Sequence, residues 1–193
     1  MTEALAANRS ALEQRVRQLL SDGDGDAAAT AVLERLGPGV LGYLLALLPE
    51  DDGYDAFAAF QVDVWRGLSG FRWECSLRAW VYRVASRAAA RLRRDGYRRR
   101  RMPLPSASGL APPAPLTSGP GGRHDELARL REALPPEEQA LLALRVGRGM
   151  DWGEVCAVLA ADGEEISQVA VRKRFERLKR KLEVLARQRG LLS

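Results

Sequence analysis

The chain's chemistry is concentrated in two blocks of arginine and lysine. Residues 83–101 hold nine Arg against one Asp, and residues 166–193 hold nine basic against two acidic side chains. Residues 1–82 and 102–165 are each net acidic. Two compact cationic blocks, each following an acidic stretch, suit two separate contacts with a polyanion. Their cations release counterions from phosphates, and Arg and Lys can also reach guanine edges. Just ahead of the first block lies Phe71-Arg72-Trp73-Glu74-Cys75-Ser76, with aromatics at Phe71 and Trp73 among charged and small residues. Trp65, Trp80 and Tyr82 read as core residues.

Little else could do chemistry. The single histidine, His124, reads as a solvated residue at the start of a helix. Cys75 and Cys156 lie far apart without CxxC spacing, which fits a reducing compartment and argues against a disulfide or zinc framework. Cys75 reads as a small semi-buried filler rather than a redox thiol. Asp51-Asp52 and Glu137-Glu138 are first-turn helix charges. The alternating aspartates at 22, 24 and 26 lack the glutamate of a calcium loop at the twelfth position, which is Leu33, and read as an acidic turn. No catalytic residue, metal site or cofactor is expected, so an enzyme is the disfavoured class.

These groups need elements to position them. Hydrophobic residues make up 46% and charged residues 28% of the 193, enough for a packed core. Residues 102–123 carry six of the ten prolines and four glycines and read as an inter-domain linker. No stretch alternates with period two, so the expectation is an all-α fold, two small helical domains over 1–101 and 124–193. In the first, helices are expected at 2–20, 26–36, 38–48, 52–68 and 76–94, the last capped by Ser76 and stopped at Asp95-Gly96. Its apolar residues Leu77, Trp80, Val81, Val84, Ala88 and Leu92 form one face, with Arg83, Arg87, Arg91 and Arg94 a quarter-turn away.

In the second domain helices are expected at 124–133, 136–147, 151–160 and 167–188. Asp151 and Glu154 form a capping box, and Ser167 caps the last helix. Trp152, Val155, Cys156 and Leu159 make the buried stripe of the short helix. Val171, Phe175, Leu178, Leu182 and Leu185 form the apolar face of the long one, with its cations elsewhere on the surface. A short helix, a turn and a longer basic helix make a helix-turn-helix, whose second helix enters the major groove.

Phe71-Arg72-Trp73-Glu74-Cys75-Ser76-Leu77-Arg78-Ala79-Trp80-Val81-Tyr82-Arg83-Val84-Ala85 resembles the second conserved region of extracytoplasmic-function (ECF) sigma factors. Pro38-Gly39-Val40-Leu41, Pro49-Glu50-Asp51 and the stretch from Asp55 to Val64-Trp65-Arg66 resemble that family's polymerase-binding helices. Ala133-Leu134-Pro135-Pro136-Glu137-Glu138-Gln139, Leu144-Arg145, Gly149-Met150 and Glu154-Val155 resemble its fourth region. The resemblance implies that the first domain docks on the clamp helices of the beta prime subunit of core RNA polymerase through Asp55, Gln61, Val62 and Trp65. It implies that Phe71, Arg72, Trp73, Glu74 and Ser76 belong to the loop that receives a flipped base of the −10 element, with Arg83, Arg87, Arg91 and Arg94 on the following helix. Gln168, Arg172, Lys173, Arg174 and Arg177 would lie on the helix that reads the −35 element. Core polymerase, including its beta flap, promoter DNA and an anti-sigma factor are the implied partners.

The sequence departs from the family at several points. The family has glycine where Trp73 stands, which predicts a different loop shape. Ala58 and Gln61 replace a common Gln and Phe on the docking helix. Arg87 and Arg91 replace Asn and Asp, trading base readout for phosphate attraction. Ala161 to Glu165 lengthen the helix-turn-helix turn, and Glu164 and Glu165 suit a helix start but repel phosphate. The rival reading is a stand-alone helix-turn-helix regulator of duplex operator DNA, which leaves the arginine-rich end of the first domain unexplained. No segment suits membrane insertion or a signal peptide, so the expected location is cytoplasmic.

Overall fold

A computed structural model describes residues 2–101, 130–131, 133–160 and 166–191. Among these there are seven α-helices and no strand. Helices α1 (Thr2–Ser21), α2 (Gly25–Leu45), α3 (Glu50–Gly67) and α4 (Leu77–Arg101) form the first unit, with a 3₁₀ turn at Leu68–Gly70. Helix α5 (Pro136–Leu142) runs into a π turn at Ala143–Gly147 and is followed by α6 (Trp152–Leu159) and α7 (Gln168–Gln188). The expected linker, His124, most of the helix expected at 124–133 and the lengthened turn at 161–165 lie outside the described residues.

The caps fall where the residue types require them. Asp24 accepts the Ala27 N–H at 2.9 Å and starts α2, so the aspartate cluster at 22–26 works as a turn and cap. Ser76 Oγ accepts the Ala79 N–H at 3.1 Å ahead of α4, and Ser167 accepts that of Ala170 at 3.2 Å ahead of α7. Asp151 and Glu154 close the capping box of α6.

Two boundaries differ from expectation. The helices expected at 26–36 and 38–48 are one helix, α2, running through Pro38 and ending at Leu45. An internal proline costs about 3 kcal/mol, and burial on both sides of it, at Ala28, Val32, Val40, Tyr43 and Leu44, offsets that loss. Helix α4 passes the expected stop at Asp95-Gly96 and continues to Arg101. A lone glycine costs only about 1 kcal/mol in a helix, and the arginines that follow are strong helix formers.

In the first unit, Val16 of α1, Val32 and Leu44 of α2, Phe60 and Val64 of α3 and Leu77 and Val81 of α4 are at most 1% exposed. In the second, Leu144, Met150, Val155, Val171 and Leu178 are equally sequestered. The two sets belong to one continuous apolar cluster. Small residues on α2 allow close packing within and between the units: a Cβ on Gly39 would lie 2.8 Å from the Tyr82 hydroxyl of α4, and one on Gly42 3.0 Å from the Arg148 guanidinium of the second unit. Tyr82, which is buried, packs edge-on against Tyr43 with ring centroids 5.4 Å apart, and the Tyr43 hydroxyl shares a 2.8 Å hydrogen bond with Ser86.

Candidate nucleic-acid interface

The first group of expected site residues is assembled where the 3₁₀ turn hands the chain to α4. Phe71 is buried, its ring 5.2 Å from Trp80 and 4.7 Å from Trp73. Trp73 is the only described non-glycine residue with positive φ, at 60°. A bulky residue there carries about 1–2 kcal/mol of backbone strain. Trp73 is half-buried, and besides Phe71 it has the Arg17 guanidinium over its ring at 4.0 Å from the centroid. An aromatic pair contributes about 0.5–1.5 kcal/mol and a cation–π contact about 0.5–2 kcal/mol, enough together to hold the strained backbone. The loop thus keeps a backbone suited to glycine while presenting an indole. Arg72 and Glu74 flank it as exposed charges.

At the loop's end Ser76 both caps α4 and donates to Glu154 Oε1 at 3.3 Å, so it faces the second unit. Cys75 is half-buried, and burial raises its thiol pKa, partly opposed by Arg83, which donates to Cys75 Sγ at 3.1 Å. The filler reading of Cys75 therefore agrees with its setting. That contact turns Arg83 inward, away from the exposed cation stripe. Arg87, Arg91 and Arg94 are exposed, and Arg91 is ion-paired with Asp63 of α3. Arg93, outside the expected stripe, donates to the Leu47 carbonyl at 2.7 Å and ties α4 to the end of α2.

Helix α3 shows a second surface. Its buried face is Gly53, Ala56, Phe60 and Val64. Asp55, Gln61, Val62 and Trp65 all lie on the exposed side, together with Tyr54 and Ala58. Tyr54, Val62 and Trp65 are 50%, 47% and 46% exposed. The expectation that Trp65 belongs to the core is corrected here, because the 53–56–60–64 stripe turns it outward. Trp80 and Tyr82 do pack inward, Trp80 being half-buried.

On α7, Val171 and Leu178 are buried and Phe175 is half-buried, stacking edge-on with Trp152 at 5.4 Å. That anchors the helix and leaves Gln168, Arg172, Lys173, Arg174 and Arg177 exposed. Arg172 lies 5.8 Å from the Trp152 ring centroid. Other cations of the helix are held: Lys179 by Glu176 and Lys181 by Glu138, both at 2.8 Å, and Arg187 by Glu183 at 2.7 Å. Val169, 62% exposed, adds an apolar contact point in the first turn that the sequence reading did not single out.

Sequence reasoning also missed Glu13, Arg17 and Tyr54. Tyr54 was findable, since it precedes Ala58, Val62 and Trp65 by four, eight and eleven residues, the spacing of one helical face. Glu13 and Arg17 reach the loop through tertiary packing, for which the sequence has no local signal.

No described helix is long and apolar enough to cross a membrane. No family model and no curated protein matches the sequence. Solved structures do. CnrH, an ECF sigma factor, in complex with the cytosolic domain of CnrY, matches with a TM-score of 0.66 and 20% identity, over 92% of this chain and 98% of that one. The sigma factor RpoE, in complex with the anti-sigma factor NepR from Bartonella quintana, matches with a TM-score of 0.60 and 16% identity, over 80% of this chain and 94% of that one. The chain has the all-α fold of these sigma factors.

Proposed function

We propose that this protein is a sigma factor of the ECF type, which binds core RNA polymerase, directs it to promoters and assists strand separation. The observation that carries the reading is the joint placement, on one sigma-like unit, of an exposed apolar face and an aromatic loop that opens an arginine-rich helix. Tyr54, Asp55, Gln61, Val62 and Trp65 form the face for the polymerase clamp. Phe71, Arg72, Trp73, Glu74 and Ser76, with Arg83, Arg87, Arg91 and Arg94, serve the −10 element. Among these, Phe71 and Arg83 act by shaping the loop, since one is buried and the other bonds Cys75. Gln168, Arg172, Lys173, Arg174 and Arg177 serve the −35 element.

Melting then comes from binding energy. Extruding a base costs a few kcal/mol, and stacking it returns about 1–3 kcal/mol, with phosphate contacts adding to the return. An anti-sigma factor is the further partner, supported by the two structural relatives, each solved with a bound partner protein.

Duplex promoter fragments titrated with the protein alone and with the protein plus core polymerase test the reading. Sequence-selective binding that requires polymerase supports it. Tight selective binding by the protein alone would assign it to stand-alone operator-binding regulators.

A further inference from the structure

Helix α1 lies outside every role assigned so far, yet it contacts both the start of α4 and the aromatic loop ahead of it. Glu13 Oε1 accepts the Leu77 N–H at 2.8 Å, fastening α1 to the first residue of α4. One turn later on the same face, Arg17 sets its guanidinium 4.0 Å from the centroid of the Trp73 ring. Val16, between them in sequence, is fully buried and anchors the helix in the core. Arg17 itself is exposed, whereas Trp73 is half-buried and Phe71 beneath it is buried.

Phe71, Trp73 and Arg17 thus step from core to solvent, with the indole tilted 44° to the Phe71 ring and the Arg17 guanidinium 4.0 Å from the indole centroid. The outermost is a planar cation rather than an indole. Unpaired bases stack on guanidinium planes as they do on aromatic rings, and the same group attracts the neighbouring phosphate. A lysine lacks that flat face and supplies only the point charge.

We propose that Arg17 is a nucleic-acid-binding residue. Its guanidinium, held over the Trp73 ring, is the platform on which one unpaired base of the separated strand stacks. This rests on the promoter-binding reading and assigns α1 a role within it. Glu13 is a positioning residue, since it acts by fixing α1 against the start of α4. Trp73 supports the platform from below, and the strain at its φ of 60° is held by the same stack.

The experiment uses the complete chain assembled with core polymerase and a fluorescently labelled single-stranded oligonucleotide carrying a −10 element selected with that holoenzyme. Each base is replaced in turn by an abasic site, and affinities are measured for the natural protein, Arg17→Ala and Arg17→Lys. With Arg17 present, one position should show a penalty of about tenfold on base removal. In Arg17→Ala that penalty should vanish at that position alone, and Arg17→Lys should lose it too while keeping a steeper salt dependence than Arg17→Ala. A residue that only braced the loop would change affinity at all positions together. Unchanged abasic penalties in both variants, with the natural holoenzyme binding the oligonucleotide, would overturn the role of Arg17 and leave the sigma reading standing. Failure of the natural protein to form a complex with core polymerase would overturn that reading and the proposal with it.

Discussion

Arg78 and Glu154 meet at 3.3 Å across the junction of α4 and α6, with side chains only 17% and 9% exposed. Glu154 also accepts from Ser76 and closes the capping box of its own helix, and Arg78 donates in addition to the Arg148 carbonyl. One carboxylate therefore serves a helix start and the contact between the two units.

Removing that carboxylate leaves a mostly buried guanidinium without its counter-charge. Glu154→Ala should destabilise the protein by about 3 kcal/mol in denaturant unfolding, since breaking one side of a buried pair costs more than the pair contributes. Replacing both residues, as Arg78→Met with Glu154→Met, should recover at least half of that loss. A Glu154→Ala variant within about 0.5 kcal/mol of the natural protein would show that the pair does not join the units.

At Trp73 the strained backbone and the stack can be separated. Trp73→Ala loses the ring and keeps the left-handed backbone, whereas Trp73→Gly loses the ring and relieves the strain. The glycine variant should be the more stable by about 1 kcal/mol in thermal or denaturant unfolding. Both should reduce promoter opening, followed with a fluorescent base near the start site, more than closed-complex binding. Equal stabilities would contradict the strain, and unchanged opening would assign Trp73 to packing.

The cations of α7 should govern upstream binding. Arg172→Ala, Lys173→Ala and Arg177→Ala combined should weaken holoenzyme binding to a duplex −35 fragment. The salt dependence should become shallower by about one unit of slope for each phosphate contact removed. Polymerase binding should be retained, because the exposed face of α3 is untouched. Loss of polymerase binding in the triple variant would count against two separate surfaces.

Alkaline pH should loosen the core. Burial raises the Tyr43 hydroxyl to about 12 and raises that of Tyr82 as well. An unfolded tyrosine ionises near pH 10, so above that pH the unfolded state holds fewer protons and gains on the folded one. Stability is full below pH 10 and falls by about 2–3 kcal/mol through pH 12 from Tyr43 alone. Tyr43→Phe, which gives up the Ser86 bond, should be less stable at neutral pH but lose less between pH 9 and pH 11. Parallel losses in the two proteins would remove Tyr43 from the cause.

Period and capping made most of the helices legible. Asp151, Ser76 and Ser167 cap where their types and positions predicted, and the apolar stripes of α4 and α7 face inward. Pro38 and Gly96 misled because their local costs of about 1–3 kcal/mol are smaller than what surrounding packing and helix formers supply. Trp65 was misplaced because an aromatic on an amphipathic helix shows its side only once the buried stripe is fixed, here by Phe60 and Val64. The arginine stripe was visible as a periodicity, but the engagement of Arg83 with Cys75 and of Arg91 with Asp63 was not. Those partners come from a loop and from a different helix. The same holds for Arg17 over Trp73, whose positions lie far apart along the chain.

Size-exclusion co-elution of the purified protein with core RNA polymerase in moderate salt tests the central claim most directly, run beside a Val62→Glu, Trp65→Ala double variant with intact helical content. The natural protein should elute with polymerase and the variant apart from it. Separate elution of the natural protein from polymerase, together with tight binding to duplex DNA on its own, would contradict the account.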